Sequence, residues 1–348
     1  DARTTAFVRP EFNIFPMLLQ TQPRSDVAVI GYREFKGGIG VERNFFRNLY
    51  VNLSYNTQVE DPFAYVKDLD PSLRTLVIAY PELLTQLDFR DDRVHPHKGI
   101  LLGNDLQIAG TIFGGDASDI KVQPEVRTYL PLGRRLTFAT RASVGFLFSS
   151  NYGDVVKNQL SEPVTDANRA ARTRDIQTVF FRGFFSGGPT SNRGYPIRGI
   201  APKGVIPFLN PATASQQIAN KCDPNNPDEN TAADCAISVG GFALWEFSNE
   251  LRYAIAGPVS AAAFCDMSDV STGAIRLNRL HLSCGLGGRY DTPVGPIRLD
   301  IGYRVQPLQV LGYKNEQAVY AADPTEGLPP QLFDGVPIAI AFGIGEAF

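Results

Sequence analysis

Arg193 is the side chain whose setting most invites a chemical role. It lies in Phe181–Gly199, FRGFFSGGPTSNRGYPIRG, at the run Asn192-Arg193-Gly194-Tyr195. Gly187, Gly188 and Pro189 precede it, and Gly194, Pro196 and Gly199 follow. Glycine reaches backbone angles closed to other residues and proline fixes its own, so such a stretch folds back sharply. The plain reading is a solvated Arg/Gly loop, and the sharper one is a cation held in place. Other reactive types are sparse. His95 and His97 form an H-x-H pair in a turn, with neither a nearby cysteine nor a third histidine to complete a metal site. His281 stands alone at a strand start. No G-x-S-x-G elbow occurs, and no spacing of serine, histidine and aspartate picks out a triad. The reading is therefore a non-enzyme with no catalytic residues, no metal and no cofactor.

Four cysteines remain. Cys222 and Cys235 bracket CDPNNPDENTAADC, which reads as a disulfide-closed polar loop in an oxidising compartment. Cys265 and Cys284 fall on neighbouring antiparallel strands with both side chains on the apolar face. They could pair as a cross-strand disulfide or stand as two free thiols. Free thiols are preferred, because alternation alone does not establish register.

The elements that must position these residues are strands. The chain has 348 residues, a net charge of −3 and a pI near 5.7, which argues against a nucleic-acid partner. It opens on Asp1 rather than methionine, as a processed or trimmed product would. No apolar run is long enough for a membrane-spanning helix. In Ile297–Val305, apolar Ile297, Leu299, Ile301, Tyr303 and Val305 alternate with Arg298, Asp300, Gly302 and Arg304. That is a two-faced strand. The same period recurs over Arg135–Phe148, Ala243–Ile255 and His281–Tyr290. Each polar face carries charge, glycine or serine. A sandwich would turn these faces to water, whereas a transmembrane barrel would turn them to its lumen.

Further strands are expected at Thr5–Phe15, Val27–Phe35, Leu49–Gln58, Thr75–Tyr80, Ile100–Phe113, Lys121–Leu132, Ile176–Phe185 and Val259–Asp266. Asp61–Arg74 reads as a polar loop and Asp88–Gly99 as a charged turn. Long connections at 149–175, 186–240, 267–279 and 306–335 contrast with short ones at 132–135, 256–258 and 291–296. Such asymmetry is a barrel property and places the C-terminus on the periplasmic side. The last strand, Val336–Phe348, carries small residues on one face, including Gly343 and Gly345, and ends in aromatic Phe348. Glycine weakens a strand interior, so the seam between this strand and the first is the easiest to open.

Several stretches resemble a known family. FFSGGPTSNRGY resembles the glycine-rich V-R-G-F/Y signature of the BamA/TamA superfamily of outer-membrane assembly factors. TPVGPIRLDIGYR resembles its penultimate strand and the preceding turn. AAAFCDMSD resembles its F-x-D-x-G strand, GIGEAF its terminal strand, and DFRDDRVHPHKG an upstream turn. The resemblance runs from about residue 86 to the end. Two positions depart from the pattern: Asn192 stands for the usual valine and Ser268 for the motif glycine.

The resemblance implies that residues 1–348 form one all-β transmembrane antiparallel barrel of 16 strands. A long sixth extracellular loop, residues 186–240, would fold into the lumen. Arg193, with Gly194 and Tyr195, would then meet acidic groups of the inner wall, and alternation offers Glu250 and Asp266 for that role. Arginine's planar fork suits bidentate pairing with carboxylates. The implied function is insertion of outer-membrane proteins in the bacterial outer membrane through a lateral gate at the seam. Implied partners are outer-membrane lipid, unfolded outer-membrane protein clients and periplasmic or lipoprotein accessory subunits. POTRA domains are expected in full-length relatives, and none is read here. The alternatives are a two-partner-secretion translocation pore, or the barrel anchor of an enzymatic domain.

Overall fold

The computed structural model describes residues 4–15, 29–66, 71–158, 167–204, 237–305 and 338–345 apart from 279 and 294, together with 69, 165 and 347. Among the described residues, twelve strands make one antiparallel sheet. They are β1 (Thr4–Phe15), β2 (Val29–Phe45), β3 (Leu49–Val66), β4 (Leu76–Asp88), β5 (Gly99–Ala109), β6 (Asp119–Pro131) and β7 (Leu136–Ser149). After a long connection come β10 (Ala243–Ala256), β11 (Val259–Ser271), β12 (His281–Tyr290), β13 (Ile297–Arg304) and β14 (Ile338–Ile344). The connection holds helices α1 (Asp154–Asn158) and α2 (Arg169–Arg182). It also holds the two-residue pair β8 (Lys203–Gly204) and β9 (Ile237–Ser238). Sequential strands pair throughout, with β7 against β10, and β1 and β14 are the two edges.

Burial is inverted relative to a soluble sheet. On β13, Ile301 is 50% exposed and the adjacent Asp300 is 0% exposed. Leu299, Tyr303, Leu286, Phe342 and Phe148 share the exposed apolar face, while Arg298, Arg289 and Glu250 are buried on the other. A continuous exposed apolar surface is what a lipid-facing wall presents.

The sheet also curls. Phe181 packs edge-on against Tyr32 of β2 with ring centres 4.8 Å apart, and the Pro189 carbonyl accepts from Arg298 of β13 at 2.5 Å. Nine strand steps separate β2 from β13, about 43 Å if the sheet were flat. More tightly still, Ala347 packs with Tyr129 of β6, six strand steps from β14 and about 29 Å away in a flat sheet, although the three residues past Ile344 reach at most about 11 Å. The sheet therefore wraps around the connection, and its polar face looks inward.

Several sequence expectations change. Ile176–Phe185 is not a strand: residues up to Arg182 complete α2, and Gly183 ends it by donating to the Val179 carbonyl at 2.6 Å. Removing that strand merges two long connections into one, 150–242, and leaves the four shortest, 46–48, 132–135, 257–258 and 291–296, all on the opposite end of the wall. β2, β3 and β4 run further than expected, so Asp61–Val66 is strand rather than loop. β5 stops at Ala109 before a single 3-10 turn, Thr111–Phe113. β14 ends at Ile344, because Gly345 takes a left-handed φ of 93° that closes the strand. The chain then turns inward, and Ala347 packs with Tyr129 and Ala139. The stretch Gln306–Asp334 lies outside the described residues.

The turn between β4 and β5 is built by its acids. Arg90 donates to both carboxylate oxygens of Asp88, at 2.9 and 3.0 Å. Asp92 accepts the backbone N–H groups of Val94 and His95, at 2.7 and 2.9 Å. Those hydrogen bonds hold its carboxyl below the ordinary value of 3.8. His95 faces Asp291 of the β12–β13 turn, with Nδ1 3.6 Å from Oδ1.

Candidate functional site

The site is built where the connection meets the polar face of β10–β13. Alternation on these strands points Glu250, Phe264, Asp266, Ser268, Ser283, Arg289, Arg298 and Asp300 to one side. The loop 186–200 is closed on itself by hydrogen bonds of Gly188 N–H to the Asn192 and Tyr195 carbonyls, at 3.2 and 3.1 Å, and by the Ser186–Ile200 bridge. Gly187 and Gly188 take φ near 100°, which this fold-back requires.

Arg193 lies between Asp266 and Glu250. Its Nε and Nη2 donate to the two oxygens of Asp266 at 2.7 and 2.8 Å, a bidentate fork. Its backbone N–H donates to the same carboxylate at 3.0 Å. Nη1 donates to Glu250 and lies 3.7 Å from Asp300 Oδ2. The Phe264 ring covers the guanidinium at 3.6 Å, a cation–π contact. Arg193 is 1% exposed. Burial works against its charge, and the Asp266 and Glu250 carboxylates outweigh it, so its pKa is raised above that of free arginine.

The acids are shared. Glu250 also accepts from Arg252 at 2.9 Å and from Arg289 at 3.3 Å. Asp300 accepts from Arg289 at 2.5 Å and Arg298 at 3.3 Å. Four guanidinium groups thus meet three carboxylates, one positive charge in excess. Buried ions at this density hold only when each finds a partner.

Neighbouring loop residues are held as closely. Gly194 donates its N–H to Ser283 Oγ at 3.0 Å, and a Cβ at Gly194 would lie 2.2 Å from that of Ser283. On the wall, a Cβ at Gly302 would lie 2.7 Å from the Arg193 carbonyl oxygen. Tyr195 is 1% exposed, edge-on to His281 at 5.6 Å. The two departures from the family pattern meet each other: the Asn192 amide donates to Ser268 Oγ at 3.0 Å and to the His281 carbonyl at 2.7 Å. Asn192 Oδ1 in turn accepts from Ser283 at 2.6 Å.

Sequence reasoning singled out Glu250 and Asp266 but passed over Asp300, Arg289, Arg298 and Ser283. The same alternation counts all four inward. It also passed over Arg182, which stands in the quoted FRGF. Arg182 forks onto Asp119 at 2.6 and 3.0 Å and reaches Gln107 at 2.9 Å. The connection is thus tied to β5 and β6 at one point and to β10–β13 at another. Gly343 lies opposite Arg298 on β14. Gly345 lies past the strand end, and Phe348 lies outside the described residues.

For the cysteines, the preference for free thiols is corrected: Cys265 and Cys284 form a disulfide. They are direct register partners on β11 and β12, which brings the two sulfurs together. Cys222 and Cys235 lie outside the described residues.

A curled antiparallel wall, apolar outside and charged inside, with an arginine-bearing loop seated on its polar face, defines a β-barrel membrane protein. The sequence matches the Omp85 superfamily domain over residues 31–348, and the chain belongs to that superfamily. Its barrels are bacterial outer-membrane proteins of a non-enzymatic insertion and transport family. Among solved structures, the chain is similar to BamA from Haemophilus ducreyi lacking POTRA domains 1–3. The TM-score is 0.53 at 14% identity, covering 91% of this chain and 60% of that one. It is also similar to CdiB from Acinetobacter baumannii, with a TM-score of 0.41 at 11% identity, covering 80% and 40%. The chain thus spans less than two thirds of either. No curated protein matches the sequence.

Proposed function

We propose that this chain is the membrane wall of an assembly factor that inserts other β-barrel proteins into the outer membrane. The complete wall is a closed barrel of 16 strands, to which the described sheet contributes twelve. The 150–242 connection occupies its lumen. The end with the short turns, and with it the C-terminus, faces the periplasm. Arg193 acts structurally: its fork on Asp266 and Glu250 holds the loop against β10–β13.

The terminal strand is the observation that carries this reading. β14 pairs with β13 over seven residues, against seventeen register pairs between β2 and β3. Its inward positions are Ala339, Ala341 and Gly343, which offer a neighbour little side chain to grip. The same small side chains would give the strand that closes the barrel equally little to grip, so this edge can part from it. It then offers its unpaired N–H and C=O groups to an incoming client strand. Strand pairing and burial in lipid supply the driving force, so no cofactor is called for. Periplasmic or lipoprotein subunits would deliver unfolded clients to this edge.

The test is a cysteine in β14, at Phe342, paired with one in the strand that closes the barrel, in cells that depend on this protein. Oxidation is expected to stop accumulation of outer-membrane barrels, and a reductant to restore it. Normal barrel assembly by fully locked protein would sink the proposal. If export of one secreted protein then depended on Arg193, a translocation pore would replace it.

A further inference from the structure

The Cys265–Cys284 disulfide stands outside the machinery described so far, on the lipid-facing side of the wall. Its position relative to the loop is specific. Three consecutive inward register pairs of β11 and β12 are Phe264↔Gly285, Asp266↔Ser283 and Ser268↔His281. All three touch the run Asn192-Arg193-Gly194. Phe264 covers the Arg193 guanidinium. Asp266 takes its fork, while Ser283 binds Asn192 and Gly194. Ser268 and the His281 carbonyl take the Asn192 amide. The disulfide bridges the outward pair between the first two of these.

Asn192 therefore bonds to β11 and β12 at once, and its neighbours divide between the two strands, Arg193 on Asp266 of β11 and Gly194 on Ser283 of β12, so the contacts exist together only in one register. The ladder beside the disulfide specifies that register poorly. Ala261 lies opposite Gly288, Ala262 opposite Gly287 and Phe264 opposite Gly285. Such pairs have little cross-strand side-chain contact, and glycine-rich strands are prone to slip. A covalent link at 265–284 removes that freedom next to the pairs the loop uses.

We infer that the Cys265–Cys284 disulfide is a positioning element for the loop. On the lipid side it fixes the β11–β12 register that aligns Asp266, Ser283, Ser268 and the His281 carbonyl on the polar side. Its effect passes through the Arg193 contact and is not a general stiffening of the wall. The inference stands on loop and wall geometry and does not depend on the insertion function.

The readout is trypsin cleavage after Arg198, located by mass spectrometry, in detergent-folded protein. In the docked loop Arg198 is half-buried, its guanidinium 4.9 and 4.5 Å from the Phe180 and Phe185 ring centres. Cleavage there tracks the undocked population when loop motion is fast. C265V/C284V keeps an apolar outward pair and removes the link. It is expected to raise the cleavage rate about tenfold, within the range of couplings inside one network. In an R193A background the same pair of substitutions should add nothing further. An unchanged rate in C265V/C284V overturns the inference. So does an equal rise with and without Arg193, which would make the disulfide a general staple. Should C265V/C284V fail to fold, folded C222A/C235A protein is reduced instead, so that Cys265–Cys284 is the bond that opens. Dithiothreitol gives up two electrons and two protons and becomes its cyclic disulfide, and Cys265 and Cys284 become thiols. Faster cleavage after Arg198 supports the inference, and an unchanged rate after complete reduction overturns it.

Discussion

Replacing Arg193 by alanine removes one side of a buried charge cluster, and the structure says which partner suffers. Among the described residues, every hydrogen bond to the Asp266 carboxylate comes from Arg193. Glu250 keeps Arg252 and Arg289. Breaking a buried pair by removing one partner costs about 3–5 kcal/mol, chiefly through the charge left behind. Since only Asp266 is orphaned, the low end, about 3 kcal/mol, applies here. At 1.4 kcal/mol per decade this raises the undocked population about a hundredfold. In R193A/D266A the orphan is gone, and the cluster returns to three guanidinium groups over two carboxylates, again one positive charge in excess. The double variant should therefore cleave after Arg198 at least about tenfold more slowly than R193A, a coupling normal for contacting residues. Gel mobility before and after heating checks that both variants keep a folded wall. A rate for R193A within about threefold of wild type would refute the reasoning, as would a double variant as open as R193A.

Three further outcomes follow from the same geometry. Gly302→Ala places a methyl against the Arg193 carbonyl and should cost about 1–3 kcal/mol of loop docking while the wall stays folded, read by the same cleavage. Asn192→Val removes the amide that donates to Ser268 Oγ and the His281 carbonyl and the oxygen that accepts from Ser283, a cost of about 1–3 kcal/mol in all. N192V/S268G should cost less than the sum of its parts, and strict additivity of the cleavage data would contradict the paired contact. The turn at Asp92 should respond to acid. Its carboxyl lies below 3.8 when folded, so the order it provides is complete above that value and is lost as pH falls through the lower folded value. Amide exchange at Val94 and His95, corrected for intrinsic rate, should accelerate only in that acidic range.

The wall was readable because lipid and lumen impose a strict two-residue period, which Ile297–Val305 displays without a break. What resisted reading lies inside. The C-terminal half of α2 is enclosed all round, with Ile176, Gln177, Thr178, Val179 and Phe180 all buried, while Ala170, Ala171 and Arg174 stay exposed at its start. The enclosed half has no polar stripe, and its TVFF run has the length and branching of a strand. Ala170, Ala171 and the terminal Gly183 were the available signs of a helix. The end of β14 was missed because whether Gly345 turns or continues is decided by contacts around Pro296, whose carbonyl takes the Gly345 N–H at 2.8 Å. The pairing of Cys265 with Cys284 needed register, which alternation does not contain. Glu250 and Asp266 could be picked out by face and charge. Asp300 and Arg289 share that face, but nothing in the spacing tied them to a loop more than ninety residues upstream.

The packing of α2 and the loop 186–200 against the curled sheet has an electrical consequence. Ile176, Val179, Phe184 and Tyr195 are buried there. In the closed barrel we propose, a hydrated ion entering from either mouth would meet hydrocarbon and fixed guanidinium charge instead of a water column. The resting protein in a planar bilayer should therefore be nearly silent. Current would flow only while the loop has left its seat, so the duration of each conducting event times the absence of the Arg193 contact.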